Sequence, residues 1–325
     1  MDVTTWLLDS DPSIRWQVLR DLEGAPPSEY QPERARIAHE GWGAALLALQ
    51  WEDGSWDGGA WGPADFSEAE FKESGQAWTS TMWVLSLLAD LGVDPADPAV
   101  SSAIEKVAKG VHWEYANEPY FDGEVEACIN GRTVRAGEYF GRDMSPLVER
   151  LLGEVLDDGG WNCEALNGSV VSSFDSTLGV LEGLVEYSAH HRAHGRPGDA
   201  RVEAATDRAL EYMYSRALFR RLRDGEIAQE YYLCCPFPQR HHYNVLRILD
   251  LVRASGRAPD PRCAEAIEII RERRGEDGRW IHEGTIPGRN YFPLETIGEP
   301  GRWLTLVATR VLNWWDAAYP SPPVG

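Results

Sequence analysis

The stretch Asp157-Asp158-Gly159-Gly160-Trp161-Asn162-Cys163 decides the fold, because the same Asp-Gly turn followed by a tryptophan stands at two other places. Trp51-Glu52-Asp53-Gly54-Ser55-Trp56 follows Gln50, and Gly275-Glu276-Asp277-Gly278-Arg279-Trp280 follows Arg274. Each reads as a helix exit. The glycine supplies the positive φ that the exit needs, and the aromatic plugs the turn against the next helix. A period of roughly 50 residues per helical hairpin places such turns at every second hairpin, and units of that kind bury their apolar faces only against their neighbours. The units therefore stack or close.

Of 325 residues, 43% are apolar and 14 are tryptophan, which is ample for a core and excludes a disordered chain. The formal charge of −21, from 31 Lys and Arg against 52 Asp and Glu, repels a phosphate backbone and argues against nucleic acid as a partner. The start, Met1-Asp2-Val3-Thr4-Thr5-Trp6, has neither a basic nor an apolar leader segment. No apolar run reaches the ~20 residues of a bilayer span. The expectation is a soluble cytoplasmic protein. Five cysteines, an odd number, point to reduced thiols or metal ligands rather than a disulfide framework.

Asp11-Pro12 opens a helix with Ile14, Val18 and Leu22 on one stripe, and Gly24-Ala25-Pro26-Pro27 ends it. A longer helix is expected up to Gln50. Residues 51–74 carry glycines, tryptophans and acids without periodicity and read as a long functional loop. The helical pattern resumes from Gly75 through Trp78, Met82, Leu85 and Ala89, and again after Asp97-Pro98. Further helices are expected over Cys128 to Phe140, Ser145 to Leu156, Ser172 to Tyr187, Asp199 to Leu222, Arg240 to Val252, Pro261 to Arg274 and Gly301 to Trp315. This is an all-α chain of about 11 helices with no convincing strand.

The run Gln50, Gly54, Ser55, Trp56 has the Q-x3-G-x-W pattern of squalene-cyclase and prenyltransferase repeats, and the other two turns look like degenerate copies of it. From about Trp42 to Trp315 the chain thus resembles the terpenoid cyclase/protein prenyltransferase α/α-toroid superfamily, in particular short bacterial single-toroid proteins labelled squalene cyclase-like. The resemblance implies one (α/α)6 toroid of 11 to 12 helices around a central cavity. It also implies a single domain over 1–325, with a leading helix and linker at 1–27, the toroid at 28–319 and a tail at 320–325. The class II cyclase run Asp-x-Asp-Asp and the class I motif Asp-Asp-x-x-Asp are both absent, which argues against squalene or oxidosqualene cyclisation.

In such a toroid the N-termini of the inner helices converge on one mouth of the cavity and bring their positive dipole ends there. Those positions hold Trp78, Cys128, Asn130, Phe174, Asp175, Arg240, His241, His242, Tyr243 and Trp303. A polar and aromatic rim around an apolar cavity is the default ligand site. Asp175, His241 and Tyr243 are the candidate acid/base set, although an Asp in a first turn is also an ordinary cap. Trp78, Asn130, Phe174, Arg240 and Trp303 are the candidate contacts for a hydrophobic small molecule, with Arg240 and Arg302 able to grip an anionic group. Cys128, Cys163 and His242 are the candidate zinc ligands, two thiolates and an imidazole with a fourth position open. Prenyltransferase β-subunits and lanthipeptide cyclases carry zinc on Cys and His in toroids, but neither local motif occurs here. The alternative is that both cysteines are small buried hydrophobes and His242 a core histidine. Cys234, Cys235 and Cys263 read as packing. Two functions remain open: a cavity-mouth enzyme, zinc-assisted, acting on an isoprenoid-like or peptide molecule, or a noncatalytic toroid that binds a hydrophobic ligand or serves as a scaffold.

Overall fold

A computed structural model describes residues 2–320; of the expected tail, 321–325 lie outside the described residues. The first seven helices are α1 (Val3–Leu8), α2 (Pro12–Asp21), α3 (Pro27–Ala35), α4 (Gly41–Leu47), α5 (Glu68–Ser74), α6 (Thr81–Leu91) and α7 (Pro98–Gly110). The second seven are α8 (Ala127–Tyr139), α9 (Ser145–Gly153), α10 (Phe174–Ala193), α11 (Ala200–Tyr214), α12 (Val245–Ala254), α13 (Ala264–Glu272) and α14 (Arg302–Ala318). The only strands among the described residues are two parallel dipeptides, β1 (Gln76–Ala77) and β2 (Gly288–Arg289). The protein is all-α.

Alternate helices follow one another in a cycle: α2 packs on α4, α4 on α6, α6 on α8, α8 on α10, α10 on α12, α12 on α14, and α14 on α2. The intervening helices flank this cycle, with α3 on α2, α7 on α4, α9 on α8, α11 on α10, and α13 on both α12 and α14. Starts are chemically defined. The carboxylates of Asp11, Asp97 and Asp199 accept the backbone N–H two residues on, at the entries to α2, α7 and α11. The α8–α10 approach is the closest, because Gly131 faces Gly179 and Gly183; a Cβ on Gly131 would lie 2.4 Å from the Gly179 carbonyl oxygen.

The three tryptophan turns are copies of one device. Gly54, Gly159 and Gly278 have φ of 93°, 100° and 80°, where only glycine is unstrained. Each indole N–H donates to the carbonyl ten residues earlier: Trp56 to Leu46 at 2.7 Å, Trp161 to Leu151 at 2.8 Å and Trp280 to Ile270 at 2.8 Å. Each backbone N–H then donates to a threonine at the start of the next helix of the cycle, Thr81, Thr177 or Thr305, at 3.1 to 3.2 Å. The plug thus bolts one hairpin to the next.

Several boundaries differ from the sequence expectation. The helix expected to run up to Gln50 is two, α3 and α4, broken where Asp11 accepts the Trp42 N–H at 2.8 Å beside Gly41, whose φ is 66°. The long loop 51–74 ends in α5. Gly75 does not open a helix, because Gln76–Ala77 pairs with Gly288–Arg289 and the Trp78 N–H donates to the Arg289 carbonyl; α6 starts at Thr81. Residues 240–244 form a loop, and α12 starts only at Val245 behind an Asn244 cap.

The tryptophan device yields a stability prediction. Trp56, Trp161 and Trp280 are at most 3% exposed. Each Trp→Ala substitution is expected to lower the unfolding free energy by about 3–5 kcal/mol, and Thr177→Val by about 1 kcal/mol for its lost hydrogen bonds. Urea unfolding checks this. A Trp→Ala protein as stable as the parent would show that the indole is not a plug.

Candidate functional site

Three helices of the cycle meet at a buried carboxylate. Glu182 on α10 takes both Nε and Nη2 of Arg247 on α12, at 2.6 and 2.7 Å, and lies 3.9 Å from Arg132 on α8. Burial opposes its charge, but Arg247, Arg135 and Arg132 together hold the carboxyl below its ordinary range. The outer N–H groups of the two arginines then fix the loop ahead of α12. Arg247 Nη1 donates to the carbonyls of Arg240 (2.9 Å) and His242 (3.1 Å), and Arg132 Nη2 to that of His241 (3.2 Å).

That loop sets the expected acid/base residues. Asp175, in the first turn of α10, accepts the Tyr243 backbone N–H at 2.8 Å and the hydroxyls of Tyr231 and Tyr232 at 3.2 Å each. Both of its carboxylate oxygens are engaged by these three bonds. Tyr243 is fully buried, and its hydroxyl donates to the Leu218 carbonyl at 2.5 Å. Phe174 packs beside it, its ring 5.0 Å from Tyr243 and 5.1 Å from Tyr232. His242 turns its ring edge to Tyr231, at 5.2 Å, on the wall of an apolar groove of about 290 Å³ that Pro236, Ile286 and Pro287 also line. Burial disfavours its charged form, although Asp175 works the other way.

His241 belongs to a different group. Its ring contacts Trp78 (5.3 Å), Trp83 (5.9 Å) and His242 (4.2 Å). Burial and then the neighbouring cations push it down to about 3, a push that the solvent-facing part of the ring weakens. Trp78 donates its indole N–H to the Pro287 carbonyl at 2.9 Å, and Arg240 lies over the Trp78 ring while donating to Asn290 at 2.5 Å. Asn130 is a clamp, exchanging 2.7 and 2.8 Å bonds with both backbone groups of Glu124. Trp303 stacks on Phe237 at 4.4 Å and has no partner for its buried indole N–H among the described residues.

The structure brings Cys128, in the first turn of α8, to Cys163, in a 3-10 turn after Trp161, and joins them in a disulfide. The sequence pointed to reduced thiols. Glu126 reaches Cys128 Sγ at 3.5 Å, and the Ser176 hydroxyl reaches Cys163 Sγ at 3.3 Å. Glu126, Cys128 and Cys163 are the only group of metal-capable side chains among the described residues whose ligand atoms lie within 4.8 Å of one another. His242 is not in that group; its ring is engaged in the Tyr231 groove.

Sequence reasoning missed the charged interior. A cavity of about 360 Å³ is bounded by α2, α3, α6, α8, α10, α12 and α14, and Trp303 of the expected rim lies on its wall. Arg310 crosses it, pairing with Asp250 on α12 and, at 2.9 Å, with Asp21 on α2. The available signal was a charge inside an apolar run, as in Val307-Ala308-Thr309-Arg310-Val311-Leu312 and Val180-Leu181-Glu182-Gly183-Leu184. No family model matches the chain, and no curated protein matches it. No helix among the described residues is long and apolar enough to cross a membrane.

The paired histidines give a pH prediction. Both are depressed below the ordinary imidazole value of 6.5, so the unfolded chain takes up their protons first. Their contribution to stability is complete above that value and is lost as pH falls below it. The melting temperature is expected to drop from pH 7.5 to pH 5, and the His241→Gln, His242→Gln double variant to drop less. An identical pH slope in the two proteins would exclude this role.

Proposed function

We propose that the chain is a closed α/α-toroid of the terpenoid cyclase/prenyltransferase-like kind, with the even-numbered helices of the packing cycle inside and their partners outside. The return of α14 to α2 supports the closure, and the cavity lined by α3 and by every helix of the cycle except α4 supports the central opening. In this reading the mouth at the helix N-termini takes a hydrophobic small molecule in the groove of Tyr231, Pro236 and Ile286. The observation that carries it is the juxtaposition of that apolar groove with His242, whose imidazole is favoured in the neutral form and can accept a proton from a bound molecule.

The noncatalytic reading draws on Asp175 and Tyr243. Both are engaged by protein partners, Asp175 by three donors and Tyr243 by the Leu218 carbonyl, which leaves His242 as the acid/base candidate of the expected set on the groove. A binding toroid needs only the groove.

For zinc, the expected ligand set does not assemble around His242. In the dithiol form Cys128 and Cys163, with Glu126 as third donor, fit the soft and borderline ligation that zinc takes. Bound there, zinc would supply Lewis acidity or an activated thiolate. As a disulfide the same sulfurs hold no metal.

Two measurements test this reading. Farnesol binding, followed by tryptophan fluorescence, is expected to weaken at least tenfold in Tyr231→Ala at an unchanged melting temperature; equal affinity would remove the groove as the site. Protein reduced and then dialysed against zinc is expected to retain about one ion per chain, and Cys128→Ser none. Zinc retained equally by the variant would refute the dithiol site.

A further inference from the structure

We propose that the central cavity is a binding site for a small organic dianion, distinct from the groove at the mouth. The cavity of about 360 Å³ is lined by six arginines, Arg20, Arg34, Arg135, Arg247, Arg253 and Arg310. Four carboxylates face them, those of Asp90, Glu182, Glu186 and Asp250, which leaves 6 − 4 = 2 positive charges in excess. Adding Arg132 and Asp21, which pair with lining residues, gives 7 − 5 and the same excess. This surplus sits inside a chain of net charge −21.

Pairing between helices explains most of these groups but not the surplus. Arg135 holds Asp90, Arg247 holds Glu182, and Asp250 is shared by Arg253 and Arg310. Arg34 has no carboxylate partner among the described residues; it donates to the Gly92 carbonyl at 2.9 Å and to the Tyr139 hydroxyl at 3.2 Å. Arg34 thus lacks a carboxylate acceptor in a space that carries excess positive charge. A planar carboxylate or a phosphate matches the guanidinium fork, and a dianion cancels the excess of two. Access exists, since the Arg20 side chain at the edge is 37% exposed and Gln31 is exposed. Glu186 makes no hydrogen bond or ion pair among the described residues; burial pushes its carboxyl up, while the charges of Arg135 and Arg34 pull the other way.

The test is calorimetric titration of the full chain with succinate, with glycerol 3-phosphate and with spermidine, each at matched ionic strength. One of the two dianions is expected to bind at one site, which also separates the carboxylate from the phosphate source. Arg34→Gln is expected to weaken that binding at least tenfold. Glu186→Gln, which breaks no protein contact, is expected to bind as tightly or more tightly. The proposal is overturned if neither dianion binds, if spermidine binds in their place, if Arg34→Gln leaves the affinity unchanged in a folded protein, or if Glu186→Gln weakens it.

Discussion

A circuit of ion pairs and one glutamine joins the helices of the packing cycle other than α4. Asp90 on α6 meets Arg135 on α8 at 2.6 Å; Arg132 on α8 and Arg247 on α12 share Glu182 on α10; Arg310 on α14 meets Asp250 on α12 and Asp21 on α2. Gln17 on α2 accepts from Arg310 at 2.7 Å and donates to the Asp90 carbonyl at 3.5 Å, which brings the circuit back to α6. Glu182 and Arg310 are at most 8% exposed, so the pairs they make are taken largely out of water, whereas Arg135 and Asp90 keep about a fifth of their side chains exposed. Removing one partner from such a pair leaves a buried charge and costs about 3–5 kcal/mol, whereas apolar replacement of both is often neutral. The circuit therefore specifies which helix neighbours which more than it adds net stability. The tryptophan plugs carry the apolar part, since Trp56, Trp161 and Trp280 are buried where one hairpin hands over to the next.

Those plugs were legible because their chemistry is local. An Asp-Gly pair fixes the turn, the tryptophan bonds ten residues back, and the helix before it is read from its own stripe. The segments at 76–80 and 240–244 were misread as helix starts for the opposite reason. The first is pulled into a ladder with residues more than 200 positions later, and the second is held by arginines of α8 and α12. Pattern within a window carries no information about such partners. Local propensity loses where a distant partner satisfies the backbone instead.

The site divides the same way. Residues 174–175 and 242–243 were recognisable as a polar and aromatic set at helix starts, and the structure does bring Phe174 and Asp175 against Tyr243, which lines one groove with His242. Their roles were not recognisable, because a carboxylate taken up by two tyrosine hydroxyls and one amide reads in the sequence like any free one. Cys128 and Cys163 were singled out together although 35 residues separate them, and they do meet. His242 was joined to them because it also precedes a helix. Sharing one end of a bundle does not put two side chains on the same side of a loop, and this loop turns His242 toward Tyr231.

Arg247 belongs to both halves of the molecule. Its Nε and Nη2 are spent on Glu182 at the cavity wall, while its Nη1 holds the carbonyls of Arg240 and His242 beside the groove. A guanidinium is rigid and planar, so the two sets of bonds cannot be adjusted independently. Reorienting the fork toward the cavity lengthens the bonds that position His242, and drawing the 240–242 loop outward strains the pairing with Glu182. By linkage, a ligand that shifted the fork on one side would change the affinity for a ligand on the other, and the second would change the affinity for the first by the same free energy. The charged interior and the apolar mouth are thus two faces of one side chain's hydrogen-bonding geometry, which is why neither can be understood from the residues that line it alone.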